Sequence, residues 1–244
     1  MTLDLQKHRA EVHGFGRLQE NLRQIVYGGN DGIVTTFAVV AGFAGAQAQG
    51  AAEIGTLAVL LFGFANLFAD ATSMGLGEFL SSRSERDVYV VIRQQELAAI
   101  ANRLDAEKAE VLAILKHRGV NKEDSDQFVA VMERNPEMMA DFMMAYEFGL
   151  PDPNEENAAI NGLYTFFSFL VFGFIPIFPY LVIPTNPQVF GFSVLATFTA
   201  LALLGILRWR ATRERLLACL SETVMVGGIC AVVAYGVGVF IGGM

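Results

Sequence analysis

The chain is poor in charged residues and in cysteine. Of its 244 residues only 17% are charged, while 53% are apolar even though the 24 glycines are not counted among them. An average soluble domain has about 25% charged residues, so this composition predicts a protein that is partly surrounded by lipid. The two cysteines, Cys219 and Cys230, lie eleven residues apart in one apolar stretch, which excludes a disulfide framework and a Cys-x-x-Cys metal site. The net charge of −8 excludes a nucleic-acid-binding function.

Sequence signatures of common enzymes are also missing. The chain has no Walker loop, no Gly-x-Gly-x-x-Gly fingerprint and no Ser/His/Asp or Cys/His set, which excludes ATP-driven transport by this chain alone. A di-iron oxidase of the ferritin type needs Glu-x-x-His on two helices. The residues three positions before His8, His13 and His117 are Leu5, Ala10 and Ile114. We therefore expect a protein that is not an enzyme.

Five largely apolar windows are long enough to cross a bilayer as helices. One crossing needs roughly 20 apolar residues, and windows that are apolar on every side exclude barrel strands. Only the second window carries charge, at Asp70 and at Glu78, which lies near its end and can reach water. The sequence therefore predicts an all-α polytopic membrane protein with five transmembrane helices. The windows are residues 32–52, 54–80, 160–183, 187–207 and 223–244.

The basic residues predict the orientation. All 17 lysines and arginines lie before the first window, between the second and third, or between the fourth and fifth. The positive-inside rule then places the N-terminus in the cytoplasm and the C-terminus across the membrane. Residues 1–27 lack the apolar centre of a signal peptide, so we expect them to form a cytoplasmic N-terminal segment.

An acidic insertion separates the second and third windows. Residues 84–156 contain 16 acidic and 8 basic side chains, a difference that equals the net charge of the whole chain. Regular apolar spacing predicts helices: one that continues the second span, one from an Asp105 N-cap to His117, one capped by Asn121, and one from Pro136 that stops at Gly149. The predicted organisation is a segment 1–27, membrane helices in 28–83, a cytoplasmic helical domain in 84–156 and membrane helices in 157–244.

Carboxylates and thioethers of this insertion fall at helical spacings. Glu107 and Glu110 share one helix face, and Met143 and Met144 lie one turn before Glu147. Converging carboxylates bind divalent cations, and thioether sulfur favours softer first-row metals over Mg²⁺ and Ca²⁺. The same spacing also fits a solvated acidic face beside a core filled by methionines.

Two aspartates lie at membrane depth. An ionisable group in hydrocarbon costs about 2.5–3.5 kcal/mol, so Asp31 and Asp70 are expected to face a bundle interior or an aqueous path, which favours transport. Asn66, Asp70 and Met74 follow one another at one-turn intervals and share a face. Each aspartate also has a structural alternative: Asn30 and Asp31 can cap the first helix, and Asp70 can make a satisfied interhelical hydrogen bond.

Three segments of the chain resemble the vacuolar iron transporter family, which includes the yeast Ca²⁺-sensitive cross-complementer and plant vacuolar transporters. Residues 27–46 resemble its DG(L/I)(V/T)xxFAxxAGxxGA signature, residues 73–81 its SMxxGEYxS segment, and residues 173–180 its proline-bearing third span. They occur in family order, with five spans and a cytoplasmic insertion between the second and third. The resemblance covers nearly the whole chain from about Gln24.

This resemblance implies a homodimeric exporter of cytosolic Fe²⁺, with Mn²⁺ as a related substrate, driven by proton counterflow along a pathway at the dimer interface. It implies no permanently bound cofactor, and a vacuolar membrane in a eukaryote or the cytoplasmic membrane in a prokaryote. Asp31 and Met74 match the family's pathway aspartate and methionine. The metal ligands that it implies in the cytoplasmic domain are Glu96, Glu107, Glu110, Met143, Met144 and Glu147.

The chain departs from the family pattern at two positions. Ala99 stands where the first helix of the domain usually has a second glutamate after Glu96, and Asn66 stands where the second span usually has a glutamate two turns before Met74. Fewer ligands are expected to weaken or re-tune the cytoplasmic site. Proton coupling is expected only if Asp70 replaces the membrane glutamate. The alternative function is a metal-responsive membrane receptor or buffer that binds metal without transporting it.

Overall fold

The structure, a computed structural model, describes residues 17–48, 55–153 and 157–243. Over these residues it consists of nine α-helices without strands, so the predicted all-α fold is confirmed. In chain order they are α1 Arg17–Glu20, α2 Leu22–Ala48, α3 Thr56–Asn102, α4 Leu104–His117, α5 Lys122–Glu133, α6 Pro136–Tyr146, α7 Ala158–Val182, α8 Val189–Thr212 and α9 Leu216–Gly242.

Five of these helices, α2, α3, α7, α8 and α9, are long and apolar enough to cross a membrane, which confirms the predicted five spans. Their ends differ from the apolar windows: α2 starts ten residues before residue 32, and α3 continues to Asn102. Backbone hydrogen bonding does not stop where apolar composition stops, so a spanning helix can extend through polar residues into water. Residues 49–52, 54 and 244 of the predicted windows lie outside the described residues.

The early start of α2 excludes a capping role for Asp31. Asn30 and Asp31 lie in the interior of a helix that begins at Leu22. A capping residue must stand just before the first helical turn, because only there are backbone N–H groups left unpaired. The prediction that Asn30 and Asp31 can cap the first helix is therefore wrong.

The chain divides into two compact units. The first, called the membrane unit below, comprises Met1–Phe79 and Ala159–Met244; the second, called the inserted unit, comprises Leu80–Ala158. The boundary after Phe79 falls inside α3, so one continuous helix contributes to both units.

Glycines allow the helices of the membrane unit to approach closely. A Cβ atom on Gly32 of α2 would collide with the backbone of Phe169 on α7, and one on Gly238 of α9 would collide with the backbone of Gly42. Larger residues at these points would push the helices apart. The α2–α7 contact adjoins Asp31, so the backbone around that aspartate is held by packing.

The inserted unit is a four-helix arrangement built from the end of α3 together with α4, α5 and α6. Its core contains the fully buried side chains Val111, Met132, Met139 and Met143, and Leu115 packs among them. Apolar residues of the predicted helices therefore form the core of this unit.

Local signals located most helix ends of this unit. The Asn121 side chain accepts a hydrogen bond from the backbone N–H of Asp124, and Pro136 occupies the first turn of α6, as predicted. Asp105 is not an N-cap: α4 begins one residue earlier, at Leu104, with Arg103 at the cap position. Asp105 lies in the first turn instead, where its negative charge favours the exposed N–H groups of the helix.

Candidate functional site

Two glutamates from different helices meet inside the inserted unit. Glu96 of α3 is 6% exposed and Glu107 of α4 is 3% exposed. Their carboxyl groups lie within interaction range of each other. The Oε1 atom of Glu96 is buried without a hydrogen-bond partner. Buried carboxyl oxygens nearly always have a partner, so this one is available to a further ligand.

The surroundings of Glu96 oppose its ionisation. Burial raises the pKa of Glu96 to about 7, and the negative charges of Glu107, Glu147 and Glu110 add to that shift. The nearby carboxyl group of Glu107 also acts in the same direction because a protonated Glu96 can donate a hydrogen bond to it. At neutral pH this carboxyl group is close to its midpoint.

Glu147, at the end of α6, belongs to the same electrostatic group. Partial desolvation raises the pKa of Glu147, with further increases from the charges of Glu110 and Glu107. Glu110 and Glu147 are exposed, whereas Glu96 and Glu107 are buried. The structure therefore brings the four predicted glutamates within electrostatic range, two of them inside and two at the surface.

The two predicted methionine ligands are fully buried on α6. Met143 belongs to the apolar core of the inserted unit, together with Val111 and Met139. Met144 is equally buried but is not a member of that core cluster. Met143 therefore has a packing role whether or not its sulfur also binds metal, whereas packing in that core does not account for Met144.

The four glutamates do not converge on a single position where a metal ion could be coordinated. Within the described part of the chain, no three or more His, Cys, Asp or Glu side chains are arranged to hold a metal ion. Glu107 is also 3.6 Å from the guanidinium of Arg103, one turn earlier on α4. Mutual repulsion of the carboxylates opposes closer approach. A divalent cation would relieve that repulsion.

Sequence reasoning missed a residue that ties these helices together. Arg93, on α3, donates from Nη2 to Glu137 Oε2 at 2.6 Å and from Nε to Asp141 Oδ1 at 2.9 Å. Both acceptors lie on α6, and Arg93 lies one turn before Glu96. Its two ion pairs therefore hold α6, which carries Met143, beside the segment of α3 that carries Glu96.

In the membrane unit, the predicted pathway residues lie on α2 and α3. The Asn66 side-chain amide donates a hydrogen bond to Asp70 Oδ2 at 2.8 Å. This bond joins two residues of α3, so it differs from the interhelical bond that the sequence allows for Asp70. Asp31 lies on α2 and Asp70 on α3, and the two aspartates are within electrostatic range of each other. Met74 is half-buried.

An open cavity of the membrane unit is lined by other residues. It has a volume of about 850 Å³ and is lined by residues of α1, α2, α8 and α9. The Arg208 Nη1 atom and Glu222 Oε2 atom at its wall are 2.6 Å apart. It includes none of the predicted pathway residues, so it does not extend the Asp31–Asp70 pair.

Comparison with known proteins gives one family and several relatives. The model of the VIT family matches residues 22–239. The chain is 34% identical to a vacuolar iron transporter from Centaurea cyanus over 217 residues, which cover 89% of this chain and 86% of the relative. It is 33% identical to vacuolar iron transporter 1 of Arabidopsis thaliana, covering 88% and 84% of the two chains. It is 32% identical to a vacuolar iron transporter of Plasmodium falciparum, covering 97% and 86%.

Proposed function

The chain belongs to the VIT family, and from that premise we propose that it exports Fe²⁺, and also Mn²⁺, from the cytoplasm in exchange for protons. The observation that carries the proposal is the interaction of Asp31 on α2 with Asp70 on α3. Two carboxylates from separate membrane helices form a negative pair that attracts a divalent cation. The names of the relatives, each called a vacuolar iron transporter, give the metal and a vacuolar membrane in a eukaryotic cell.

Asp31, Asp70, Asn66 and Met74 are the proposed path through the membrane unit. Carboxylate and amide oxygens hold a partly dehydrated cation, and the Met74 sulfur favours Fe²⁺ over Mg²⁺. When protons replace the metal on the aspartates, the negative pair is neutralised. The empty carrier can then return without a net charge in the membrane.

The inserted unit is the proposed collecting site for metal. Under the positive-inside rule it lies in the cytoplasm, as do the 17 basic residues of the chain. Glu96, Glu107, Glu110 and Glu147 would supply oxygen ligands, with Met144 and Met143 as sulfur ligands. Support comes from the mutual electrostatic coupling of the four glutamates and from the unpartnered Glu96 Oε1.

Flux through the purified protein tests the transport step. We expect proteoliposomes to move Fe²⁺ away from the side that carries the inserted unit, with protons moving in the opposite direction. Asp31→Ala and Met74→Ala should each reduce the flux strongly. Thr72→Ala is the matched control, because this exposed residue of α3 donates its hydroxyl to the Phe68 carbonyl of its own helix. Wild-type flux in both pathway variants would overturn the pathway assignment.

Metal binding tests the collecting site separately. Glu107→Gln combined with Glu110→Gln should lower the affinity of the full-length protein for Mn²⁺ in calorimetry. The control combines Glu123→Gln with Asp126→Asn, which removes the same amount of negative charge from exposed positions on α5. If both double variants lost the same Mn²⁺ affinity, the cause would be the general negative charge of the protein and not these two glutamates. Metal binding without any flux in vesicles would favour the receptor or buffer function instead.

A homodimer is part of the proposal. Much of the lateral surface is apolar: Leu57 on α3 and Val232 on α9 are each more than 70% exposed. Such a surface must face lipid or a second copy of the chain. Light scattering of the protein in detergent should give twice the chain mass of 26.5 kDa after subtraction of the micelle. A single chain mass would contradict a stable dimer.

A further inference from the structure

A buried amide faces a carboxylate near the start of α2. Gln24 is 6% exposed, and its Nε2 donates a hydrogen bond to Glu78 Oε1 on α3 at 3.0 Å. The other polar side-chain atom of Gln24, the carbonyl oxygen Oε1, is buried and has no hydrogen-bond partner. A buried carbonyl without a partner is destabilising, so a fold that keeps one usually has a use for it.

The Gln24–Glu78 contact fits the same pairing of α2 with α3 as the two aspartates of the predicted pathway. Gln24 contacts Glu78, and Asp31 interacts with Asp70. Asp31 lies seven residues after Gln24 on α2, whereas Asp70 lies eight residues before Glu78 on α3. That correspondence is what two antiparallel neighbouring helices give. Met74 lies four residues from Glu78 and four from Asp70, and four residues of a helix rise about 6 Å. Glu78, Met74 and Asp70 therefore form a ladder of potential ligands along α3.

Helix α7 packs against the backbone of α2 close to Gln24. Thr165 is 1% exposed and Ser168 is 8% exposed. The Ser168 hydroxyl donates to the backbone carbonyl of Ile25 at 2.7 Å, and a Cβ on Gly28 would collide with the Thr165 carbonyl. The backbone beside Gln24 is therefore held by packing against α7.

We propose that Glu78 and Gln24 form a loading site for divalent cations at this end of the membrane unit. The carboxylate supplies a charge and the amide carbonyl a neutral oxygen, a donor pair that suits a divalent ion still carrying several water molecules. The ion would pass from there to Met74 and then to the aspartate pair. This inference rests on the proposed transport function and adds two residues to it.

Transport kinetics of Glu78→Gln test the loading site. This variant keeps the size of the side chain and a group that can accept from Gln24, but removes the charge. We expect KM for Fe²⁺ to rise by about tenfold, with a smaller change in the maximal rate, because a loading site governs capture. Glu85→Gln is the control, since Glu85 is an exposed carboxylate two turns further along α3. It should leave KM unchanged.

Gln24→Glu separates a binding role from a structural one. If the pair binds cations, a second carboxylate should lower KM below the wild-type value. If Gln24 only holds Glu78 in place, two facing carboxylates repel each other, and KM stays the same or rises. This second variant also decides the matter if Glu78→Gln does not give a monodisperse protein.

The outcomes for the loading site and for transport are distinguishable. Absence of Fe²⁺ flux in the wild-type protein would overturn the transport proposal and the loading site with it. Wild-type flux together with an unchanged KM in Glu78→Gln would overturn the loading site alone. Wild-type flux with a raised KM in Glu78→Gln and a lowered KM in Gln24→Glu would support it.

Discussion

Glu96 of α3 and Glu107 of α4 bring two buried carboxyl groups from different helices within interaction range of each other. Two carboxylates so close repel each other, which favours a state in which one of them carries a proton. The pKa of Glu96 is raised to about 7, so Glu96 takes up a proton near neutral pH. A divalent cation that binds both glutamates must displace this proton. Metal and proton therefore compete for Glu96.

This competition predicts the pH dependence of metal binding. Below about pH 7 Glu96 is protonated in the metal-free protein, so the affinity for Mn²⁺ should fall as the pH is lowered from about 8 to about 6. One displaced proton limits the loss to about tenfold per pH unit. Calorimetry in buffers of different ionisation enthalpy measures the proton directly. We expect nearly one proton released near pH 6 and only a small fraction near pH 8.

Glu96→Gln is the informative variant for that measurement. Glutamine cannot release a proton, so the pH-dependent component of proton release should vanish along with much of the affinity. Glu123→Gln, at an exposed position of α5, should behave as the wild type. If Glu96→Gln released as many protons as the wild type, another group would be the competitor.

The paired contacts of Arg93 give a second prediction. Arg93→Ala should destabilise the attachment of α6 by about 1 kcal/mol, because it removes two ion pairs whose acceptors are mostly exposed. Faster amide hydrogen exchange in residues 136–146 and a several-fold weaker Mn²⁺ affinity are expected, since α6 carries Met144 and leads to Glu147. Calorimetry and exchange on one sample give both quantities.

Lys108→Ala is the matched comparison for Arg93→Ala. The Lys108 ammonium lies 3.0 Å from Glu133, and its side chain is 29% exposed, against 26% for Arg93. This pair joins α4 to α5, and α5 supplies none of the proposed ligands. Equal effects of the two variants on Mn²⁺ affinity would show that Arg93 has no positioning role.

Features that depend on one or two helical turns were predictable from the sequence. Apolar length predicts the five spans, Asn121 caps the turn that follows it, and Pro136 fixes the first turn of its own helix. The contacts of Arg93 reach 44 and 48 residues ahead, and Gln24 reaches 54 residues to Glu78. No local pattern marks such partners, because the tertiary arrangement alone brings them together. The start of α2 was not predictable for a different reason. Apolar composition indicates which residues lie in lipid, whereas the helix extends past those residues into a polar segment.

Gly75 and Gly77, both in the segment 73–81, give a third prediction, which concerns the packing of α3 against α7. A Cβ on Gly75 would lie 2.9 Å from the Phe166 Cβ and 3.0 Å from the Gly162 carbonyl, whereas a Cβ on Gly77 would meet nothing within 4 Å. Gly75→Ala should therefore force α3 away from α7 and cost about 1–3 kcal/mol. Gly77→Ala should be neutral or slightly stabilising, because alanine favours a helix. Thermal unfolding in detergent checks both, and equal midpoints would contradict the close α3–α7 contact.

In the proposed exchange of metal for protons, Asn66 stands in place of the family glutamate, and we expect proton coupling to depend on Asp70. Asn66 cannot carry a proton between states, but it donates to Asp70 Oδ2 at 2.8 Å, and Asp70 interacts with Asp31. A pH gradient of one unit supplies about 1.4 kcal/mol per proton, enough for an approximately tenfold metal gradient. In proteoliposomes, Asp70→Asn should therefore lose the acceleration of Fe²⁺ flux by an imposed gradient. Adding Asn66→Glu to Asp70→Asn should restore it, because the new carboxylate lies one turn away on the same face of α3. If the flux through Asp70→Asn still responded fully to the pH gradient, Asp31 alone would have the coupling role. If the double variant did not recover this response, the position of the carboxylate would matter as much as its presence.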